Sequence, residues 1–252
     1  MKKCKSTKRC FSVSAIILAI VGCVIISILV FKRGSSQGAK LYLQSNDSTN
    51  FVTLTDVVPD VILEIRYFGT YNFVGKRING YEEPVALVTK ETAAALKKVS
   101  DYLAEKGYRL KIYDAYRPQR AVDHFKEWAK DLGDTLMKQY FYPFKNKNVL
   151  FKEGYIASHS GHSRGSTLDL TIFNMATGKD VDMGGTFDYF GEKSHTNCPD
   201  ITAEQKANRE ILKEAMEKFG FRNYPTEWWH YTLRNEPYPD TYFTFANKTL
   251  QL

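Results

Sequence analysis

The longest apolar run in the chain covers residues 11–31, twenty-one positions rich in Ile, Val, Leu and Ala and without a charge. A helix of that length covers a hydrocarbon core of roughly 30 Å, so the run predicts a membrane span. A cleaved signal peptide is the competing reading, but the run exceeds the roughly 7–15 residues of a signal core, and no small-x-small cleavage site follows it. Ile20-Val21-Gly22-Cys23 also loosely fits a lipoprotein-processing site, which would leave residues 24–31 on the mature end. Five basic residues precede the run and two follow it, which points the N-terminus into the cytoplasm and the remainder outward. The organisation predicted is a basic tail (1–10), a span (11–31), a polar Gly/Ser-containing stalk (32–50) and a folded domain (51–252).

Within that domain the patterns change along the chain. Residues 57–67 read as extended and apolar, and residues 67–73 as an aromatic, Gly-containing loop. Residues 89–106 have helical spacing around Ala93-Ala94-Ala95, with apolar positions at 96, 99 and 103 and Gly107 as the stop. Residues 108–113 alternate like a half-buried strand, whose end delivers Asp114-Ala115-Tyr116-Arg117-Pro118. A second helix is predicted over 120–132, with Ala121, Phe125, Trp128 and Leu132 on one face. Leu168-Asp169-Leu170-Thr171-Ile172 has period two, so Asp169 and Thr171 leave the strand opposite the three aliphatic residues. Residues 180–194 read as a Gly-rich loop. Residues 202–219 form the strongest helical pattern, opened by a Thr202/Gln205 capping box, with Ala207, Ile211, Ala215 and Phe219 as its stripe and Gly220 as its end. Helices and strands alternate irregularly, which predicts an α+β fold rather than a doubly wound parallel sheet.

Composition changes this picture in two places. The net charge of +7 would mark a basic protein, but seven of the 35 basic residues lie in the first 33 positions with no acid among them, and the remaining 28 face 28 acids. The folded part is therefore neutral and carries no electrostatic footprint for nucleic acid. Three of the four cysteines, Cys4, Cys10 and Cys23, lie in or before the span. With only Cys198 left in the domain, an intradomain disulfide and a cysteine-based zinc site are both excluded, and any metal must be held by His, Asp or Glu.

The residues able to do so cluster in two segments. Ser158-His159-Ser160-Gly161-His162 precedes Asp169, and Glu227-Trp228-Trp229-His230 lies nearly sixty residues later. Catalytic zinc sites use three His or carboxylate ligands, an open position and a nearby carboxylate base, which makes His162, Asp169 and His230 ligand candidates and Glu227 the base candidate. His159 begins as an equal candidate to His162. An acid between Leu168 and Leu170 in a strand is costly to bury without a partner, which singles out Asp169. His162 and Asp169 are seven apart and need a turn at Arg164-Gly165-Ser166 to meet. Glu227 and His230, three apart, fall on opposite faces of a flat strand. Pro225 and the flanking aromatics disfavour a helix, so these two can converge only if the segment twists.

Four ordered motifs closely resemble the VanX-type D-alanyl-D-alanine dipeptidases. They are Asp114-Ala115-Tyr116-Arg117-Pro118; Ser160-x-His162-Ser163-Arg164-Gly165-x-x-x-Asp169-Leu170-Thr171; Phe187-Asp188-x-Phe190 with Ser194-His195; and Glu227-Trp228-Trp229-His230. The resemblance covers residues 51–252. It implies a zinc-peptidase domain with a central antiparallel sheet flanked by helices, shared with D-Ala-D-Ala carboxypeptidases and the hedgehog signalling domain. It implies one zinc held by His162, Asp169 and His230, with Glu227 as general base and Arg117 stabilising the oxyanion. It further implies that Ser160 and Tyr67 contact substrate and that Asp188 holds the ammonium of the D-Ala-D-Ala dipeptide. Only His162 fits the family spacing, so His159 returns to being a loop residue. A D,D-carboxypeptidase acting on peptidoglycan stems and a non-catalytic zinc-stabilised module are the alternatives, the second having no use for Glu227 or Arg117. The membrane span is a departure, because the best-known members of the family are soluble.

Overall fold

The computed structural model describes residues 42–250, so the predicted tail, the span and the stalk up to residue 41 lie outside the described residues. Among the described residues, no helix is long and apolar enough to cross a membrane. The elements in chain order are β1 (Leu43–Ser45), β2 (Phe51–Thr53), α1 (Leu54–Val57), β3 (Ile62–Leu63), β4 (Leu87–Thr89), α2 (Lys90–Ala104), β5 (Tyr108–Asp114), α3 (Gln119–Lys130), α4 (Lys138–Phe141), β6 (Thr167–Asn174), β7 (Lys179–Asp180), α5 (Ala203–Lys218), β8 (Phe221–Tyr224), β9 (Glu227–Leu233) and β10 (Thr241–Phe243).

A six-stranded sheet in the order β3-β5-β6-β9-β8, with β7 paired to the end of β6, carries the fold. The β5–β6, β6–β9 and β9–β8 pairs are antiparallel, as expected. The wholly antiparallel sheet is corrected at one edge, where β3 runs parallel to β5. A parallel neighbour needs a crossover, and the connection through β4 and α2 supplies it. The fully buried Leu110, Ile112, Leu168, Leu170 and Ile172 belong to one core with Leu96, Val99 and Leu103 of α2 and Leu212, Ala215 and Met216 of α5. Thr171 and Asp169, on the other side of β6, are buried as well, so this strand is covered on both faces.

Three local expectations shift. The folded part begins before residue 51, because Leu43–Ser45 pairs in parallel with Thr241–Phe243. Leu132 is exposed, since α3 ends at Lys130 and the chain turns away from the core face. In α5 the capping box forms as predicted, but the buried face is Arg209, Leu212, Ala215 and Met216, and Ala207 is exposed. Arg209 displaces the stripe because its guanidinium is satisfied internally, donating to the carbonyls of Met183, Lys193 and His195.

Candidate active site

Three adjacent strands set the row on which the site is built. Asp114 of β5 is the register partner of Asp169 of β6, and Asp169 is the register partner of His230 of β9. Register partners leave the same face of a sheet, so three polar side chains stand side by side at one level. Irregular pairing flanks the row on both sides. The β5–β6 register shifts between Ile112 and Asp114, and the β8–β9 register shifts between Asn223 and Tyr224. Such bulges bend a strand and re-aim its side chains.

His162 arrives from a turn. Ser160 caps a short 3-10 helix, Gly161–Arg164, by accepting from the His162 backbone N–H. The chain then reverses at Gly165, which has φ 79°. A Cβ there would lie 2.3 Å from Cε1 of Phe51, so glycine is required by both the backbone and the packing. This is the turn that the seven-residue spacing between His162 and Asp169 demanded, and it brings His162 Nε2 to 3.3 Å from Asp169 Oδ2.

The three ligand candidates do meet. His230 Nδ1 lies 3.0 Å from Asp169 Oδ1 and 3.3 Å from His162 Nε2. One ligand atom from each lies within 4.8 Å of the others, a geometry able to hold a metal ion. The tautomer of His162 follows from its second nitrogen: Nδ1 is 2.8 Å from the Ala115 carbonyl, which can only accept, so the proton is on Nδ1 and the Nε2 lone pair faces the cluster. Burial favours this neutral imidazole by lowering its pKa. Burial alone would raise the Asp169 carboxyl, but His162 and His230 outweigh it and hold Asp169 below the usual carboxylate range. Two neutral-capable imidazoles and an ionised carboxylate pointing at one spot are a donor set fitted to a divalent cation.

Glu227 joins the cluster, with Oε2 3.3 Å from His230 Nδ1. The condition set by the sequence is met: β9 is extended, yet residues three apart converge. Burial raises the Glu227 carboxyl, against the pull of His230, the direction that suits a group which must accept a proton near neutral pH. On the opposite side Arg117 donates from Nε to Asp114 Oδ2 at 2.8 Å and from Nη2 to Asp169 Oδ2 at 3.4 Å. Its guanidinium lies over the Tyr67 ring at 4.8 Å.

These residues surround a cavity of about 370 Å³, lined also by Tyr67, Ser160 and Asp188. Asp188 accepts from the Tyr67 hydroxyl at 2.9 Å. Phe73 lines this cavity, whereas Tyr71 is half exposed and packs on Phe141, so only the first of these loop aromatics helps close the site. His159 stacks on Tyr42 with ring centres 4.4 Å apart, at the rim rather than in the cluster.

The family comparison agrees with this constellation: the family described as D-ala-D-ala dipeptidase, peptidase M15, matches residues 47–248. The chain belongs to that family. It is thus a metallopeptidase-type hydrolase. The D-alanyl-D-alanine dipeptidase of Enterococcus faecalis is 43% identical over 78% of this chain and 97% of its own length. Those of Enterococcus faecium and Streptomyces coelicolor are 41% and 39% identical, over 79% and 78% of this chain and 98% and 97% of theirs.

Sequence reasoning gave no role to two residues that contact the site. Asp114 is fully buried, accepts from Tyr81 at 2.6 Å and from Arg117, and lies 3.5 Å from His162 Nδ1. Asn223 is the other, and nothing in its sequence neighbourhood marks it. The signal for Asp114 was available: it too is an acid at the end of an apolar strand.

Proposed function

We propose that the chain hydrolyses D-alanyl-D-alanine to two molecules of D-alanine, with one zinc ion held by His162, Asp169 and His230. The observation that carries this reading is the convergence of those three donors with Glu227 in a cavity that a buried acid, Asp188, also lines. Ligands bound at roughly 2.0–2.1 Å to a tetrahedral zinc lie roughly 3.3 Å from one another. The 3.3 Å between His162 Nε2 and His230 Nδ1 fits that requirement, and the Asp169 carboxylate faces both nitrogens, with Oδ2 3.3 Å from the first and Oδ1 3.0 Å from the second.

Zinc, when bound, supplies a Lewis acid that makes a water molecule acidic enough to attack at neutral pH. Glu227 takes the proton of the attacking water and passes it to the nitrogen of the leaving D-alanine. Arg117, a permanent cation at the cavity wall, stabilises the oxygen that becomes negative as the carbonyl is attacked. Asp114 holds the Arg117 fork and backs His162, fixing both without touching substrate.

Asp188 and Tyr67 favour a dipeptide. Burial, and then Asp169, push the Asp188 carboxyl well above its ordinary range, so an arriving ammonium supplies the counter-charge that its surroundings withhold. In a longer stem peptide the corresponding nitrogen is acylated and uncharged. Ser160 lines the same cavity and contacts the substrate backbone. Free D-Ala-D-Ala and a stem pentapeptide ending in D-Ala-D-Ala, assayed side by side, test the assignment. Turnover of the dipeptide at least tenfold faster supports it; preference for the pentapeptide makes the protein a carboxypeptidase, and zinc binding without either activity makes it a non-catalytic module.

The reading includes an anchored topology, supported by the uncharged run over residues 11–31 and the excess of basic residues before it. With the domain outside, the substrate is dipeptide released from the wall, which makes the activity one of scavenging or recycling. Protease added to intact cells cleaves the domain if this orientation holds; full protection overturns it.

A further inference from the structure

We infer that Asn223 is a positioning residue for the reaction, whose single side-chain amide sets the spacing of Glu227 and His230. The inference rests on the roles proposed for those two residues. Asn223 Nδ2 donates one hydrogen to the Glu227 carbonyl at 3.1 Å and the other to the His230 carbonyl at 3.1 Å. Among the described residues, no other hydrogen bond from one side-chain atom joins the backbones of Glu227 and a metal-ligand candidate.

The place of this contact explains why it is needed. Asn223 pairs with Tyr231, and the next residue of β8, Tyr224, pairs with Glu227. Between these two pairs β9 carries Trp228, Trp229 and His230, while β8 carries nothing. Three residues of β9 therefore arch out of the β8–β9 ladder, Trp228 and Trp229 both buried, while His230 keeps its pairing with Asp169 of β6 on the other side. Glu227 precedes that arch and His230 is its last residue. In a flat strand they would point to opposite faces; in the arch their side chains converge to 3.3 Å. The amide clasps both ends, so the width of the arch, and with it the separation of the carboxylate from the imidazole, is fixed by one planar group.

The orientation of that group is also fixed. Asn223 Oδ1 accepts from Thr196 Oγ1 at 2.5 Å, and two carbonyls can only accept, so the nitrogen must face β9 and the oxygen must face Thr196. Thr196 is buried and its backbone N–H donates to the Pro225 carbonyl at 2.9 Å, tying it to the turn that leads into Glu227. Asparagine suits the position because it is short, uncharged and puts two donors on one atom. Aspartate has the same shape and no donor there.

Asn223→Asp and Asn223→Ala test the role, with zinc affinity measured by chelator competition before any substrate is added and kcat and KM measured separately. Loss of an outer partner of a metal ligand typically lowers affinity or activity about 10- to 100-fold. The expected result is a fall of that size in zinc affinity and in kcat for both variants, with KM within threefold of the parent. A lower melting point with zinc affinity and kcat within twofold of the parent overturns the inference, because a merely structural residue behaves in that way. If neither variant folds, Thr196→Val against Thr196→Ser decides: the valine frees the amide to rotate and should lower kcat at least threefold, while the serine restores it. Equal kcat in those two overturns it. A parent protein that binds no zinc and cleaves no dipeptide defeats the proposed function; a parent that does both, matched by Asn223→Asp, defeats only the role of Asn223.

Discussion

Tyr67 and Asp188, 121 residues apart in the chain, meet at the back of the cavity, where the phenol donates to the Asp188 carboxylate at 2.9 Å. Asp188 holds this position with φ 61°, the one non-glycine residue with positive φ among those described. A side chain in that region costs backbone energy, and such strain persists where the surroundings over-determine it, commonly at functional sites.

The buried acid predicts a conflict between stability and activity. Asp188→Asn keeps the shape and the acceptor for Tyr67 but removes the ionisable group. A carboxyl raised on folding stabilises the protein fully below its unfolded value of about 3.9, and that contribution is lost as pH rises through the raised value. In chelator-treated protein, Asp188→Asn should therefore match the parent in acid and melt higher than the parent near neutrality. The same variant should raise KM for the dipeptide strongly. Thermal melts from acid to neutral pH, with steady-state kinetics beside them, check both halves.

Glu227→Gln should lower kcat by roughly 100- to 10,000-fold, the range for a lost general base. Zinc content should stay at one per chain, because His162, Asp169 and His230 are untouched. Chelation of the parent should abolish activity and lower its melting point, and added zinc should restore both. Metal analysis and activity on the same samples separate the base from the ligands.

Arg117→Lys retains the charge and loses the fork that spans Asp114 and Asp169. The expected fall in kcat is roughly 100- to 1,000-fold, as for loss of an oxyanion donor. A near-normal kcat in this variant would mean that charge alone suffices at the position.

Gly165→Ala and Gly107→Ala both place an alanine at positive φ, at 79° and 84°. Only the first also meets Phe51 at 2.3 Å; at Gly107 nothing lies within 4 Å. Gly107→Ala should cost about 1 kcal/mol from the backbone, and Gly165→Ala at least about 3 kcal/mol, with loss of zinc affinity as His162 shifts. Denaturant titration of the two variants measures the difference.

His162, Asp169, His230, Glu227 and Arg117 were legible as candidates because each is a reactive residue in an ordered motif, and the need for a turn at Gly165 followed from simple strand geometry. Asn223 was not legible. An asparagine two residues before a proline reads as turn chemistry, and its value comes from two carbonyls four and seven positions away. The same limit misplaced the stripe of α5, where Arg209 is buried because loop carbonyls from residues 183 to 195 happen to satisfy it.

What the chain determined by itself was the kind of chemistry and the elements that carry it: period-two aliphatics made β5 and β6, a capping box started α5, and His, Asp and Glu were the only possible metal ligands. The tertiary structure alone decided how the pieces meet. Whether Glu227 and His230, three apart on a strand, face each other depends on a three-residue arch whose width is set by a neighbouring strand. Periodicity records where a side chain points within its own element; the pairing of elements, and the bulges in that pairing, redirect it.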